Sequence, residues 1–454
     1  MSGKCPVNAL GHAWPTMQNL LKQSNTSRGS HSRRAGRQAI LAMARTFAGV
    51  NWTTPYKTRK GNLGRGTGPA RCVLTGDMLA RRLCVASGGS GDLIAAWALS
   101  QLPSLDQTIA FAAPVWERSA LDPRPGPRGP GDLSGLVRDP RGRRIAPTTS
   151  LPGGWSPLPR FVEVSGSDVF FLDVTEGVEN LGRQLARLCA QTEVDVIELV
   201  DVGGDVLATG DEPGLRSPAL DAVLLAACDA SGIEAVVTVV GAGLDGELSP
   251  AELRRAQAEL PLINEQVIPR SVARRTYADL AWFPSEASLM MLLACQGLVA
   301  TVDIKAGLDP VVLDRDASIA RTYLLRAVAR RSRLVRTVRN ATSFEEVDVA
   351  LSNAGQVSEL AGERLFVKRN AALPSPSEVS TALAHLDGQV THTSLRRCAR
   401  IFGASSRAQV DALDAMIRRS FAAAYRKPLV PTFLLQEFGF KLHAARGCDV
   451  EVAQ

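Results

Sequence analysis

A chain of 454 residues, 45% apolar and 21% charged, is long enough for two to three domains with a large core and ordinary in composition for a soluble globular protein. No apolar run reaches the roughly 18 residues of a membrane span, and the first residues hold no compact apolar secretory segment, so a cytoplasmic protein with no membrane partner is expected. The formal net charge of +7 is uneven: residues 1–80 carry twelve Lys/Arg against one acid, Asp77, which leaves the rest of the chain at −4.

Residues 1–80 are Gly/Ser/Arg-rich and weakly periodic, apart from a short helical pattern around Gln38 to Phe47. They read as a basic, disordered arm, either an unstructured extension or a segment that binds phosphate backbones such as those of tRNA. The body opens with an apolar strand at Leu83–Ala86, the turn Ser87-Gly88-Gly89-Ser90-Gly91-Asp92 and a helical pattern from Leu93 to Leu102. A strand, a glycine turn and a helix start can present backbone N–H groups to an anion. The turn lacks the Gly-Lys-Ser/Thr ending of a Walker A loop and the full Gly-x-Gly-x-x-Gly fingerprint, so a tight turn without ligand fits equally well.

A second strand, Thr108 to Val115, ends at Trp116-Glu117-Arg118. The Pro/Gly/Arg-rich stretch 117–160 that follows cannot be a central strand or a long helix. It reads as a functional loop in which Arg118, Arg124 and Arg128 can clamp phosphate or carboxylate, or as a solvated one. Phe161 to Val174 holds two strand-like pieces, and Gly177 to Gln191 is an amphipathic helical pattern. The run Val194–Val202 is a buried, parallel-type strand closing in Gly203-Gly204-Asp205, with Gly210-Asp211-Glu212 beyond it and a helix from Ala219 to Ala230. The strand Ala235–Val240 runs into Gly241-Ala242-Gly243-Leu244-Asp245-Gly246-Glu247. Ser249, Pro250 and Glu252 then have the spacing of a capped helix start. Ser285–Leu298 reads as an apolar helix, Val299–Ile304 as a last strand and Ala317–Arg336 as a basic helix.

The alternation predicts an α/β fold: a doubly wound, mostly parallel, Rossmann-like sheet over 81–335, followed by a mainly helical region at 336–454. In a parallel sheet the strand C-termini share one edge, so the turns at 88–91, 203–204 and 241–243 should converge there. Asp92, Asp205, Asp211, Glu212, Asp245 and Glu247 are then placed to converge, two or three of them holding Mg²⁺, a hydroxyl or an ammonium group. The amides of Gly88, Gly89, Gly91, Gly203, Gly204 and Gly243 would face phosphate. Acidic loops serving only solubility and helix capping are the alternative.

Two residue types narrow the chemistry. The eight cysteines are scattered without zinc spacing and read as free thiols. The five histidines are His12, His31, His385, His392 and His443, which excludes a Ser-His-Asp triad or a histidine metal site built from the middle of the chain. Acid–base work there falls to carboxylate, Lys, Tyr, Cys or the substrate itself.

The motifs Gly88-Gly89-Ser90-Gly91-Asp92, Trp116-Glu117-Arg118 with Asp122-Pro123-Arg124-Pro125-Gly126-Pro127-Arg128, Gly203-Gly204-Asp205 with Gly210-Asp211-Glu212, and Gly243-Leu244-Asp245-Gly246-Glu247-Leu248 occur in order. Together they resemble, over about 83–330, a family of uncharacterised α/β proteins from archaea and actinobacteria known as a domain of unknown function. Ser90 departs from its glycine-richer first turn, and the resemblance implies no catalytic residues. A fainter similarity is to the aminoacyl-tRNA-dependent transferases of azoxy-antibiotic (valanimycin-type) biosynthesis.

Three functions fit. The first is a biosynthetic acyl transferase moving an aminoacyl group, from a charged tRNA such as seryl-tRNA, to a small amine or hydroxylamine. The Gly203 and Gly204 amides would be its oxyanion donors and Asp205, Asp211 or Glu212 its orienting and proton-accepting groups. Arg118, Arg124, Arg128, the arm and the Arg-rich C-terminal helices would hold RNA. The second is a nucleotide-dependent ligase or transferase with Mg²⁺ at Asp205, Asp211 and Asp245. The third is a non-enzymatic nucleotide- or metabolite-binding protein.

Overall fold

The computed structural model of the chain describes residues 80–435, except 103–106, 119–120, 305–308, 369–377, 379–380, 383–385, 387–389, 405, 422–424 and 433–434. Of the basic arm expected at 1–80, residues 1–79 lie outside the described residues.

The body is an α/β structure around a nine-stranded mixed sheet. Its middle is built from β1 (Arg82–Ala86), β2 (Thr108–Ala113), β5 (Val169–Phe171), β6 (Val196–Val202) and β7 (Glu234–Val240). These five run parallel in the spatial order β5-β2-β1-β6-β7. The chain therefore builds outward from β1 through β2 to β5, then crosses back to lay β6 and β7 on β1's other side. Apolar residues fill these strands, Val, Ile and Leu above all in β6 and β7, because helices cover both faces, so neither side of the pleat meets water.

On one face pack α3 (Gly177–Thr192) and α4 (Pro218–Ala230), with α8 (Leu325–Arg331), α9 (Arg333–Val338) and α10 (Phe344–Asn353) beyond them. The opposite face carries α1 (Leu93–Ser100), α2 (Leu158–Ser165), α6 (Arg270–Leu280) and α7 (Glu286–Cys295). The capped start foreseen at Ser249 is present in α5 (Pro250–Glu259). Ser249 Oγ accepts from the Glu252 amide at 3.3 Å, and the Glu252 carboxylate accepts from the Ser249 amide at 2.7 Å.

The edges differ from the expected, mostly parallel sheet. Residues 137–145, inside the stretch expected to be an irregular loop, form the hairpin β3 (Val137–Asp139) and β4 (Gly142–Ile145), which adds antiparallel to β5. Residues 161–165, expected as strand, lie in α2. At the other edge, residues 319–324 were expected to begin a basic helix but form β11 (Ile319–Leu324). This strand is antiparallel between β7 and β8 (Leu262–Val267). Its Ala320, Thr322 and Tyr323 are buried and Arg321 pairs with Glu265 and Asp316, so tertiary burial overrides the helical spacing of the arginines. The helix starts only at α8.

The strand expected at 299–304 is β9 (Ala300–Asp303), and it belongs to a second, four-stranded sheet in the order β10-β9-β12-β13. Its partners are β10 (Val311–Leu313), β12 (His392–Ser394) and β13 (Leu429–Pro431). The mainly helical C-terminal region also supplies α11 (Glu359–Lys368), α12 (Leu395–Ile401) and α13 (Arg407–Phe421). No helix among the described residues is long and apolar enough to cross a membrane.

Candidate functional site

The turns after β1, β6 and β7 do converge. They open into a cavity of about 490 Å³ at the C-terminal ends of the parallel strands, beside the place where strand order reverses. Its floor is acidic. Asp201, Asp205 and Asp221 each place one carboxylate oxygen within 4.8 Å of the other two. Asp92, Asp245 and Glu247 complete the wall.

Each carboxylate is held by a separate element. Asp92 closes the 3₁₀ turn after β1, and its Oδ2 accepts from the Gly88 amide at 2.6 Å. Asp201 is the penultimate residue of β6 and accepts from the Gly204 amide at 2.7 Å. Asp205 begins the short 3₁₀ turn that follows. Asp221 lies in the first turn of α4, where Ser87 donates to its Oδ1 and its Oδ2 is buried with no hydrogen-bond partner. Asp245 sits against Gly203, where a Cβ would stand 2.3 Å from its carboxyl carbon, and its own Oδ2 is also without a partner. With φ of 133° at Gly203, the close approach and the backbone both demand glycine.

The electrostatics follow from burial. Asp92, Asp201 and Asp205 are held well above the ordinary carboxylate range, first by loss of water and then by the charge of Asp221. Burial, with Glu247 next to contribute upward, pushes Asp221 and Asp245 up to about 7. Glu198, the other acid of β6, makes a useful contrast: Arg82 and Thr238 satisfy both of its oxygens, so its charge is accounted for within the sheet. Among the described residues no Lys or Arg forms an ion pair with Asp92, Asp201, Asp205, Asp221 or Asp245. Carboxylates packed this way are stable only with protons or a bound cation among them.

Groups of a different kind also line the cavity. Glu117 is buried, accepts from Ser90 Oγ at 2.9 Å and Ser156 Oγ at 3.1 Å, and is raised by burial to about 7. Arg118 is paired with Glu359 of α11 at 2.6 Å. Glu359 also accepts from the Ala219 amide at 2.8 Å, and Glu363 from the Trp116 indole at 3.0 Å and the Gly126 amide at 2.8 Å. Helix α11 thus forms one wall of the site.

Several residues expected at the site lie elsewhere or do other work. Asp211 points to solvent and pairs with Arg333 at 2.8 Å. Glu212 accepts from Thr209, Gly210 and Asp211 amides and the Thr209 hydroxyl, which stitches its own loop and lowers its pKa despite partial burial. Arg124 pairs with Asp132 on the surface. Arg128 is buried against Asp122, its Nε donating at 2.8 Å, and braces the loop instead of facing the cavity. The amides of Gly203 and Gly204 are not available as oxyanion donors, because they donate to Val240 O at 3.1 Å and to Asp201. Gly243 donates to Gly203 O and shapes the turn. Gly88, Gly89, Gly91, Asp92, Arg118, Asp205 and Asp245 do line the cavity. Asp201, Asp221, Glu117 and the two glutamates of α11 enter the site without having been foreseen as part of it. The five described cysteines are free and buried, as their scattered spacing implied.

A family model described as a protein of unknown function (DUF1152) matches residues 83–367, from β1 to the end of α11. The chain belongs to the DUF1152 family. The matched span contains every carboxylate of the acidic centre and both glutamates of α11. No curated protein and no solved structure matches the chain significantly.

Proposed function

We propose that this DUF1152 chain is a divalent-metal-dependent transferase acting on a phosphate-bearing substrate. The observation that carries the reading is the buried, unpartnered Oδ2 of Asp221 in a group whose carboxylate oxygens from Asp201 and Asp205 lie within 4.8 Å. Carboxylate oxygens on rigid elements are hard donors of the kind Mg²⁺ takes, one or two of them binding it directly while the ion keeps positions for water and substrate phosphate. The strand order supports the same place, because in open α/β sheets ligands sit at the strand C-termini where the order reverses.

The chemistry divides among the residues. Asp201, Asp205 and Asp221 would hold the ion, which neutralises phosphate charge. Glu117 suits the proton-accepting role near neutral pH, given its elevated pKa and its place in the cavity lining. A nucleophile's proton passes to Glu117, the nucleophile attacks phosphorus, and the bridging P–O bond breaks with its electron pair on the leaving oxygen. Acyl transfer from an aminoacyl ester stands behind this reading, because the Gly203 and Gly204 amides it would use already have partners.

Calorimetric titration with Mg²⁺ and Mn²⁺ tests the reading. The wild-type chain should bind either ion, and Asp221→Asn or Asp205→Asn should weaken it at least about tenfold, while Asp211→Asn leaves it unchanged. A wild-type protein that binds neither ion would remove the proposal.

A further inference from the structure

A second and larger cavity, of about 890 Å³, adjoins the acidic one. The two share Phe283, Pro284, Ser285, Glu286 and Arg396 in their linings, so they meet at a neck. Their characters are opposite. The acidic centre is crowded with carboxylates, whereas the larger chamber is lined by Arg160, Arg396, Arg400, Arg407, Arg418 and Lys427 against only Glu286, Asp411 and Asp414.

The pairing within the chamber sharpens the contrast. Asp414 takes Arg418 and Lys427, and Asp411 takes Arg407. Arg160, Arg396 and Arg400 have no carboxylate within ion-pair distance among the described residues, though Glu286 and Glu117 act on Arg396 from farther off. Arg396 is partly buried at the neck, and loss of water lowers its pKa. Two tryptophans also line the chamber, each with a guanidinium on its ring: Arg160 lies 4.1 Å from Trp282 and Arg407 4.0 Å from Trp155.

We propose that the chamber takes a nucleoside polyphosphate, with its phosphates passing Arg396 at the neck toward the acidic centre and its base among Trp155, Trp282 and their stacked arginines. This deepens the metal-dependent reading above and rests on it for the acidic end. The volume lies within the range of small-ligand sites. Guanidinium groups without carboxylate partners match phosphate oxygens in fork geometry, and indole and guanidinium planes are the surfaces on which a base stacks. Inorganic phosphate alone would leave the tryptophan-lined part of the chamber unfilled. The acidic centre would also repel phosphates unless a cation intervened, so occupancy should need the ion.

Calorimetry on the full chain separates the parts, with inorganic pyrophosphate and ADP as probes, each with and without Mg²⁺. With Mg²⁺, ADP should bind about tenfold or more tighter than pyrophosphate. Arg396→Gln should weaken both probes at least about tenfold, and Trp282→Leu should weaken ADP severalfold while sparing pyrophosphate. Circular dichroism and unfolding curves confirm that each variant is folded. The inference is overturned if the wild-type chain binds Mn²⁺ but takes ADP no tighter than pyrophosphate, or if folded Arg396→Gln binds both as the wild type does. If Mn²⁺ does not bind but ADP does, with the Arg396 and Trp282 dependence intact, the chamber assignment holds and the metal reading fails.

Discussion

Asp221→Asn should make the metal-free protein more stable at alkaline pH, not less. The Asp221 carboxyl is 3% exposed and burial raises it to about 7 from an ordinary value of 3.8. Because the raised group keeps its proton in the native state while the unfolded chain releases it, stability is fully present below about pH 4. It then falls as pH climbs through the window from 3.8 to about 7. For one such group the loss above that window is about 4 kcal/mol. Asparagine keeps an oxygen for the Ser87 hydroxyl and carries no charge, so at pH 8 in EDTA it should recover roughly 2–4 kcal/mol. The assay is urea unfolding from pH 5 to 8.5, with EDTA or with Mg²⁺. In the wild type the alkaline loss should be offset by Mg²⁺, by about 2.7 kcal/mol at one hundred times its dissociation constant, and the variant should lose that response. A wild-type curve that is flat across this range and indifferent to Mg²⁺ would refute the reasoning.

Other perturbations separate the site from its surroundings. Gly203→Ala should cost at least about 2 kcal/mol in denaturant unfolding and weaken Mn²⁺ binding, because φ is 133° and the added carbon meets the Asp245 carboxyl. Asp122→Asn leaves Arg128 buried without its anion and should cost about 3–5 kcal/mol, read as a lower urea midpoint. Asp211→Ala removes only a solvent-exposed pair, and a change in stability above about 1 kcal/mol would contradict that placement.

The convergence of the three turns was legible because it needs only strand direction. Alternating apolar strands and helices imply parallel strands, and those put Asp92, Asp205 and Asp245 on one edge. Asp201 also left a signal, an acid inside a strand buried on both faces, but Glu198 three residues earlier looks the same and is fully satisfied by Arg82 and Thr238. Asp221 was hidden differently. An acid in the first turn of a helix is normally a complement to the helix dipole, so its type and position carry no mark of a site. Asp211 and Glu212 misled for the converse reason, since acids after a glycine turn serve loop stitching as readily as binding. Glu359 and Glu363 could not be assigned from local pattern, because their partners Arg118, Ala219, Trp116 and Gly126 lie 140 or more residues earlier. Strand β11 was lost to arginines at helical spacing, where Tyr323 and Thr322 needed a sheet to enter.

The late position of α11 gives the site a history during synthesis. The last strand of the main sheet ends at Leu324, 39 residues before Glu363. At the usual pace of translation that gap is roughly 2–8 s, long compared with the folding of many domains. A nascent chain can therefore assemble the sheet and bring the five aspartates together while Trp116, Arg118 and the Ala219 amide still wait for their glutamates. In that interval the acidic centre stands open on one side, and an ion can enter a nearly finished site before the helix shuts it in.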